Sequence, residues 1–335
     1  MKPLKEIFPH LSQPRKVVIT THQKPDADAM GASLALRHFL VQLGHAVTVI
    51  SPTNWAGWVN WMPGVNEVLD YEADKPIAEK TLNEAEWLFC LDFNIFHRTK
   101  TMTEKLKEVS CTKILIDHHQ EPDEASFSYG LSDTSKSSTC EMIYDLIVAS
   151  GHEDKITEEI SECIYAGVIG DTGSFRFQSA HAGVHSLVAD LKSRGLRHDD
   201  VHDKLFDNFL ENRLRFVGHV LLHRMEVFYA YNTVLIAVPK SDLQKFQIKT
   251  GDTEGLVNFP QSIQGIKLVA LVIDRDEERK WSFRSKGGFD CNSFARKYFD
   301  GGGHFNASGG RSIDPLEKTV DYFKKVMKEN SALLQ

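Results

Sequence analysis

Four short stretches of the chain carry aspartates, two of them with histidines, in a pattern suited to chemistry: His22-Gln-Lys-Pro-Asp26-Ala-Asp28, Leu91-Asp92, Asp117-His118-His119 and Gly170-Asp171. The first three follow the apolar or β-branched runs Val17-Val18-Ile19-Thr20, Trp87-Leu88-Phe89-Cys90 and Ile114-Leu115-Ile116, whereas Asp171 ends a helix-like stretch. A parallel α/β sheet ends its strands along one edge, where such folds bind ligands, so acids placed just past several strands converge there. Carboxylates and imidazoles without a thiolate suit hard-to-intermediate divalent ions, Mn2+ first and Mg2+ or Co2+ next, with zinc less well matched. The candidate ligands His22, Asp26, Asp28, Asp92, His118 and Asp171 exceed what one ion needs if water and substrate are also to bind. Two ions sharing a bridging carboxylate would use them all. Such a pair, ~3.5–4 Å apart, lowers the pKa of a bridging water, holds phosphoryl oxygens and stabilises a leaving oxygen in an in-line displacement. Phosphoester or phosphoanhydride hydrolysis is the chemistry implied. A single aspartate after a strand is ordinarily a turn former or a helix N-cap, so the joint pattern, not any one residue, favours the metal.

The elements that must hold these residues follow from periodicity. Lys16–Thr21 is strand-like and leads into a helix from about Met30 to Leu43, and Gly44-His45 then precedes a strand at Ala46–Ile50, a βαβ beginning. Trp87–Asp92 and Lys113–Asp117 read as further strands, with a polar helix near Thr101–Val109 between them. Ser138 and Glu141 form a capping box for a helix to about Ala149, so Ser138 and Thr139 are read as capping and not as catalytic. A helix beginning at Thr157 ends at Asp171, where an acid is unfavourable against the macrodipole unless a cation lies near it. Thr172–Phe177, carrying Arg176, is expected to continue as loop and short strand. Helices follow at His185–Arg194, Asp199–Asn208 and Arg213–His223. Beyond them Met225–Tyr231, Thr233–Pro239 and Lys267–Asp274 are expected as hairpin-linked strands, closed by a helix at Pro315–Met327. The pairs His181/His185, His198/His202 and His219/His223 have helical spacing but no third ligand, and are read as packing or surface residues.

In this order, and with Gly301-Gly302-Gly303-His304 downstream, the motifs resemble the DHH/DHHA1 phosphoesterase superfamily over nearly the whole chain. The compact layout is similar to the branch that cuts very short RNAs to mononucleotides and dephosphorylates 3′-phosphoadenosine-5′-phosphate (pAp). The resemblance implies an α/β architecture: a parallel-sheet DHH phosphoesterase domain with flanking helices over residues 1–192, a helical linker over 193–212, and a smaller mixed-sheet α/β DHHA1 substrate-binding domain over 213–335, with the active-site cleft between the domains. It puts His22 and Asp26 on one ion and Asp28, His118 and Asp171 on the other, with Asp92 as the bridge. His119, facing the substrate phosphate, and Asp117, orienting an imidazole, would complete the catalytic set with Asp92. The family's first motif usually reads Pro-Asp-Gly-Asp; Ala27 stands here between the two acids, and its side chain can point away from the ions.

Two features of the second domain also look functional. Ser282-Phe283-Arg284-Ser285-Lys286 is expected to follow a strand and offers the rigid fork of Arg284 beside the point charge of Lys286. Gly301–His304 is expected to open a backbone loop whose N–H groups, with His304, approach an anion. The resemblance makes Arg284, Lys286, Gly302, Gly303 and His304 substrate-grasping residues; Arg98, six residues past Asp92, reads equally as a phosphate contact or as a surface helix residue.

At 335 residues the chain exceeds the ~250–300 at which a single core stops growing, so two domains are expected. The net charge of −7 hides an asymmetry: residues 1–212 hold 20 Lys+Arg against 32 Asp+Glu, and residues 213–335 hold 19 against 14. An acidic half that holds cations and a basic half that holds phosphates fit a phosphoesterase. There is no 18-residue apolar run and no apolar leader, and Cys90, Cys111, Cys140, Cys163 and Cys291 read as free thiols, so a cytoplasmic protein without membrane partners is expected. The expected function is an exonuclease-type, Mn2+-dependent hydrolysis, with two ions per site, of short oligoribonucleotides to nucleoside 5′-monophosphates, together with dephosphorylation of pAp-like 3′-phosphonucleotides. These substrates are the expected partners, and a homodimer is left open. The alternatives are a linear-dinucleotide (pGpG or pApA) phosphodiesterase, a family II-like inorganic pyrophosphatase and a catalytically inactive nucleotide-binding protein. The Gly-Gly-Gly-His stretch counts against the second and the complete ligand set against the third.

Overall fold

The first half of the chain forms a sheet of seven strands, with β-branched or aromatic runs in the central ones: β1 (Lys2–Pro3), β2 (Lys16–Thr20), β3 (Ala46–Ser51), β4 (Leu69–Asp70), β5 (Trp87–Leu91), β6 (Thr112–Asp117) and β7 (Tyr129–Ser132). The computed structural model describes residues 1–249, 251–275 and 278–334, and its contacts separate a first unit, Met1–Asn208, from a second beginning at Phe209. The seven strands are all parallel, in the order β1-β7-β6-β5-β2-β3-β4. The chain winds outward from β2 through β3 and β4, then returns to β5 on the other flank and continues through β6 and β7. The direction reverses between β2 and β5, which makes their carboxyl ends the crevice where a doubly wound sheet binds ligands.

Helices α1 (Ala27–Gln42), α2 (Lys75–Glu84), α3 (Thr103–Glu108), α4 (Thr139–Ala149), α5 (Glu158–Asp171), α6 (Ala182–Ser193) and α7 (His198–Phe206) complete the first unit. Small residues let α1 and α5 lie unusually close. A Cβ on Gly31 would fall 2.4 Å from the Cys163 carbonyl oxygen, and one on Gly167 would fall 2.7 Å from Asp28 Oδ1 and 2.3 Å from Cys140 Sγ. Only glycine fits there, and the close approach seats Asp28, 1 % exposed, on the first turn of α1. The helix therefore starts at Ala27 and not near Met30, because Asp26 caps it by accepting from the N–H groups of Asp28 and Ala29.

The expected short strand within Thr172–Phe177 does not form. Gly173, Ser174 and Phe175 all have positive φ, which no strand tolerates, and Arg176 Nε donates to the Gly173 carbonyl across the resulting turn.

In the second unit, α8 (Glu211–His223) precedes a mixed sheet of β8 (Met225–Phe228), β9 (Thr233–Val238), β10 (Leu268–Asp274), β11 (Arg279–Ser285), β12 (Gly302–His304) and β13 (Ala307–Ser312), ordered β12-β13-β11-β10-β9-β8. Helices α9 (Lys240–Lys245), α10 (Cys291–Tyr298) and α11 (Leu316–Glu329) accompany it. Strands β8 and β9 form a hairpin, but β9 and β10 run parallel, so the expected hairpin between them is replaced by a crossover carrying α9. Ser282–Ser285 does not follow a strand but ends β11, and Gly302–His304 is itself a strand antiparallel to β13, not an open loop. A stack of Trp281, Phe283, Phe299 and Phe323 fills this core. Among the described residues no helix is long and apolar enough to cross a membrane.

Candidate metal centre

Strands β6, β5 and β2 are neighbours, and each delivers its acids at the carboxyl edge, so Asp92 emerges between the two histidine-bearing loops. Its backbone is left-handed (φ 61°), a conformation uncommon outside glycine that is held by the Asp92 N–H donating to the Ile116 carbonyl at 3.1 Å. The turn aims the carboxylate both ways. Oδ2 lies 3.3 Å from His22 Nε2, and Oδ1 lies 3.4 Å from His118 Nε2. His22 Nε2 is also 3.9 Å from Asp26 Oδ2, while His118 Nε2 is 3.7 Å from Asp28 Oδ2 and 3.3 Å from Asp171 Oδ2. Two groups of ligand atoms, His22/Asp26/Asp92 and Asp28/Asp92/His118, each gather within 4.8 Å with Asp92 common to both. Asp171, at the C-terminus of α5, faces an imidazole, the partner that its position against the helix dipole calls for.

The rings are oriented as ligands need to be. His22 Nδ1 lies 2.8 Å from its neighbour's carbonyl, Gln23 O, and His118 Nδ1 lies 3.4 Å from Lys136 O. A carbonyl only accepts, so each Nδ1 carries a proton and each Nε2 is the ring atom turned toward the carboxylates. Asp117 takes His119 instead, accepting from its Nδ1 at 2.8 Å. Electrostatics tell the same story. Burial, followed by the charges of Asp92 and Asp171, pushes the Asp28 carboxyl well above the usual range, and burial with Asp92 pushes Asp117 up to about 6. Burial also opposes the ionisation of Asp92, but hydrogen bonds from His118 and His22 outweigh it and hold the carboxyl well below the ordinary value. Burial works against a charged His118, yet the Asp171 and Asp92 carboxylates raise it well above the ordinary value. Burial and Arg98 keep His119 neutral. Carboxylates crowded this closely are at odds with one another until a cation joins them, so the donor set fits divalent ions of the oxygen- and nitrogen-loving kind.

Arg98 lies on a 3-10 segment, Phe96–Met102, where its Nη1 reaches the Asp92 carbonyl at 3.5 Å and its own carbonyl accepts from Gln23 N–H at 2.9 Å. It is therefore beside the cluster and not on an outlying helix face. Sequence reasoning missed Thr139. Ser138 caps α4 as read, but the Thr139 hydroxyl donates to Asp92 Oδ1 at 3.1 Å, a contact between positions 47 residues apart that no local pattern reveals. Glu141 accepts from Ser137 N–H, one residue earlier than a capping box requires.

In the second unit, taken by itself, Arg284 Nη1 donates to the Phe283 carbonyl at 3.0 Å, and the buried Arg284 Nε meets no hydrogen-bond acceptor among the described residues. Lys286 Nζ contacts the Gln261 carbonyl. The Gly303 N–H is not open to an anion, because it donates to Asn292 Oδ1 at 2.9 Å. The glycines answer first to packing: a Cβ on Gly301 would fall 2.0 Å from the Gly309 carbonyl oxygen, and one on Gly303 would fall 2.6 Å from that of Ala307.

Residues 16–168 match the DHH family, N-terminal domain, and residues 226–330 match the DHHA1 domain. The structure of an exopolyphosphatase-related protein from Bacteroides fragilis aligns with a TM-score of 0.93 at 36% identity, covering 98% of each chain. The bifunctional oligoribonuclease and PAP phosphatase NrnA of Bacillus subtilis (strain 168) is 26% identical over 94% of this chain and 95% of its own length. The protein of the same name from Thermus thermophilus is 29% identical, over 88% and 83%. Both family models in chain order, and a 36% identical relative matched over 98% of its length, establish that the chain belongs to the DHH/DHHA1 family of phosphoesterases and is a hydrolase acting on phosphoester bonds.

Proposed function

We propose that this hydrolase uses two divalent ions, Mn2+ by preference, to release nucleoside 5′-monophosphates from short oligoribonucleotides and to remove the 3′-phosphate of pAp-like nucleotides. His22 and Asp26 would hold one ion, Asp28, His118 and Asp171 the other, and Asp92 both. The observation that carries this reading is the buried Asp92 carboxylate, with its two oxygens 3.3 and 3.4 Å from imidazoles on opposite sides. When bound, the ions would supply an activated water and positive charge for the phosphoryl oxygens. His119, its Nδ1 proton held by Asp117, keeps Nε2 able to exchange a proton with a substrate oxygen. Arg98 would add a fixed positive charge beside the reacting phosphate. Arg284, whose buried Nε has no acceptor among the described residues, would take a further phosphate oxygen, with Lys286 and His304 beside it on the same unit. The names of the relatives at 26% and 29% identity support the substrate class. Free cysteines support a reducing compartment, the cytoplasm.

Purified protein with Mn2+ or Mg2+, given pAp, pyrophosphate, linear pGpG and 5′-labelled RNAs of graded length, tests the reading. AMP from pAp and 5′-mononucleotides from the shortest RNAs are expected. Cleavage of pyrophosphate alone, or of pGpG to the exclusion of other dinucleotides, would replace it with one of the alternatives.

A further inference from the structure

We infer that Thr139, the first residue of α4, is a positioning residue that fixes the central carboxylate of the metal cluster. The inference rests on the two-ion reading. Thr139 is fully buried, and its hydroxyl donates to Asp92 Oδ1 at 3.1 Å, the oxygen that also lies 3.4 Å from His118 Nε2. The helix does not need that hydroxyl for its cap, because Ser138 Oγ already accepts from the Glu141 N–H at 3.1 Å. The backbone of the same turn holds the neighbouring ligand: the N–H groups of Thr139 and Cys140 donate to Asp28 Oδ2 at 2.7 Å and to Asp28 Oδ1 at 2.8 Å. One turn of helix thus grips both Asp92 and Asp28, the former by a side chain and the latter by backbone.

The physical consequence concerns rotation. A carboxylate turns freely about Cβ–Cγ unless its oxygens are held, and the imidazoles that face Asp92 would themselves be drawn to the ions. The Thr139 hydroxyl does not compete for a cation, being a donor here, so it keeps Oδ1 aimed after the ions bind. Partners of this kind, which touch a ligand and not the metal, change metal affinity or activity by about 10- to 100-fold when removed.

The test compares Thr139→Val, which keeps the shape and loses the hydroxyl, with Thr139→Ser, which keeps the hydroxyl. Metal-free protein is titrated with Mn2+ and the free ion is read by electron paramagnetic resonance, beside kcat and KM for pAp. Valine should weaken Mn2+ binding by about 10- to 100-fold and lower kcat, while serine stays close to the unsubstituted protein. Unchanged binding by the valine variant, or an equal loss with serine, overturns the inference. Should the valine variant fail to fold, Thr139→Ala against Thr139→Ser makes the same comparison. If the unsubstituted protein takes up no Mn2+, the two-ion reading fails and this inference with it, whereas normal uptake with an indifferent valine variant overturns the role of Thr139 alone.

Discussion

Around Asp92 the first unit buries charged side chains against one another, whereas around Gly303 the second unit brings two backbones together with little charge involved. In the cluster Asp28, Asp92, Asp117 and His118 are each no more than 4 % exposed, and they come from segments that only the folded sheet unites. Burying like charges is costly unless something compensates, so the arrangement itself argues for a cation. The glycine stretch has a cheaper explanation. Its missing side chains are demanded by the carbonyls of Gly309 and Ala307, and one of its N–H groups is already taken by Asn292. Residues that would be unstable without a ligand report chemistry; residues that packing already requires report the fold, and their part in binding has to be tested separately.

Asp92→Ala is the change expected to separate the two regions most sharply. It should abolish turnover of every substrate while the folded protein persists, because it removes the carboxylate common to both ligand groups. Loss of a metal clamp costs several kcal/mol of transition-state stabilisation, and each ~1.4 kcal/mol is tenfold, so retention of more than about a tenth of the activity would break the two-ion assignment. Circular dichroism in the absence of metal checks the fold.

Arg284→Ala comes next. A hydrogen bond to a charged group is worth about 1.5–3 kcal/mol, so KM for pAp and for short RNAs should rise roughly 10- to 100-fold while kcat changes little. A small generic phosphodiester that makes no use of Arg284 should be hydrolysed as before. An equal fall for that control would remove Arg284 from the substrate grip. Gly303→Ala probes the β12–β13 hairpin through packing. With φ at +149° and the Ala307 carbonyl 2.6 Å from the new Cβ, the substitution should destabilise the second unit by about 1–3 kcal/mol in urea unfolding. Gly288→Ala, whose Cβ would meet nothing within 4 Å, should be near neutral. Similar losses from both glycines would mean that the hairpin packing is not what Gly303 serves.

What could be read from the sequence follows the same divide. The runs before His22, Asp92 and Asp117 announced β2, β5 and β6, since a fully buried parallel strand is a continuous apolar run. The convergence of Asp26, Asp28, Asp92 and His118 was legible because segments just past parallel strands share one edge, whereas Asp171 reaches the same place from the end of α5. What could not be read depended on tertiary proximity or on backbone dihedrals. Thr139 reaches Asp92 across 47 positions, Lys136 holds His118 through a carbonyl that carries no side-chain signature, and the positive φ of Gly173, Ser174 and Phe175 turned an expected strand into a turn. In the second unit, parallel pairing of β9 with β10 is set by the crossover and not by the alternation within either strand.

The smallest expected effect lies in the second unit, where one carboxylate is buried with its charge partners in place and no ion is called for. Asp242, 4 % exposed, accepts from Arg224 Nε at 2.7 Å and Nη2 at 3.1 Å, with His219 Nε2 at 3.0 Å. The hydrogen bonds from Arg224 hold its carboxyl below the ordinary value, against the opposing effect of burial and with help from His219. A carboxyl whose folded pKa is depressed binds its proton more readily in the unfolded chain, so its stabilisation is fully present above the unfolded value, about 4, and is lost as the pH falls through the lower folded value. Asp242→Asn removes that titration. The variant should be less stable at pH 7, and its stability should fall less steeply than that of the unsubstituted protein below pH ~4, as read from urea midpoints across the acid range. Parallel acid limbs would show that the pairing of Asp242 with Arg224 contributes nothing that depends on its charge.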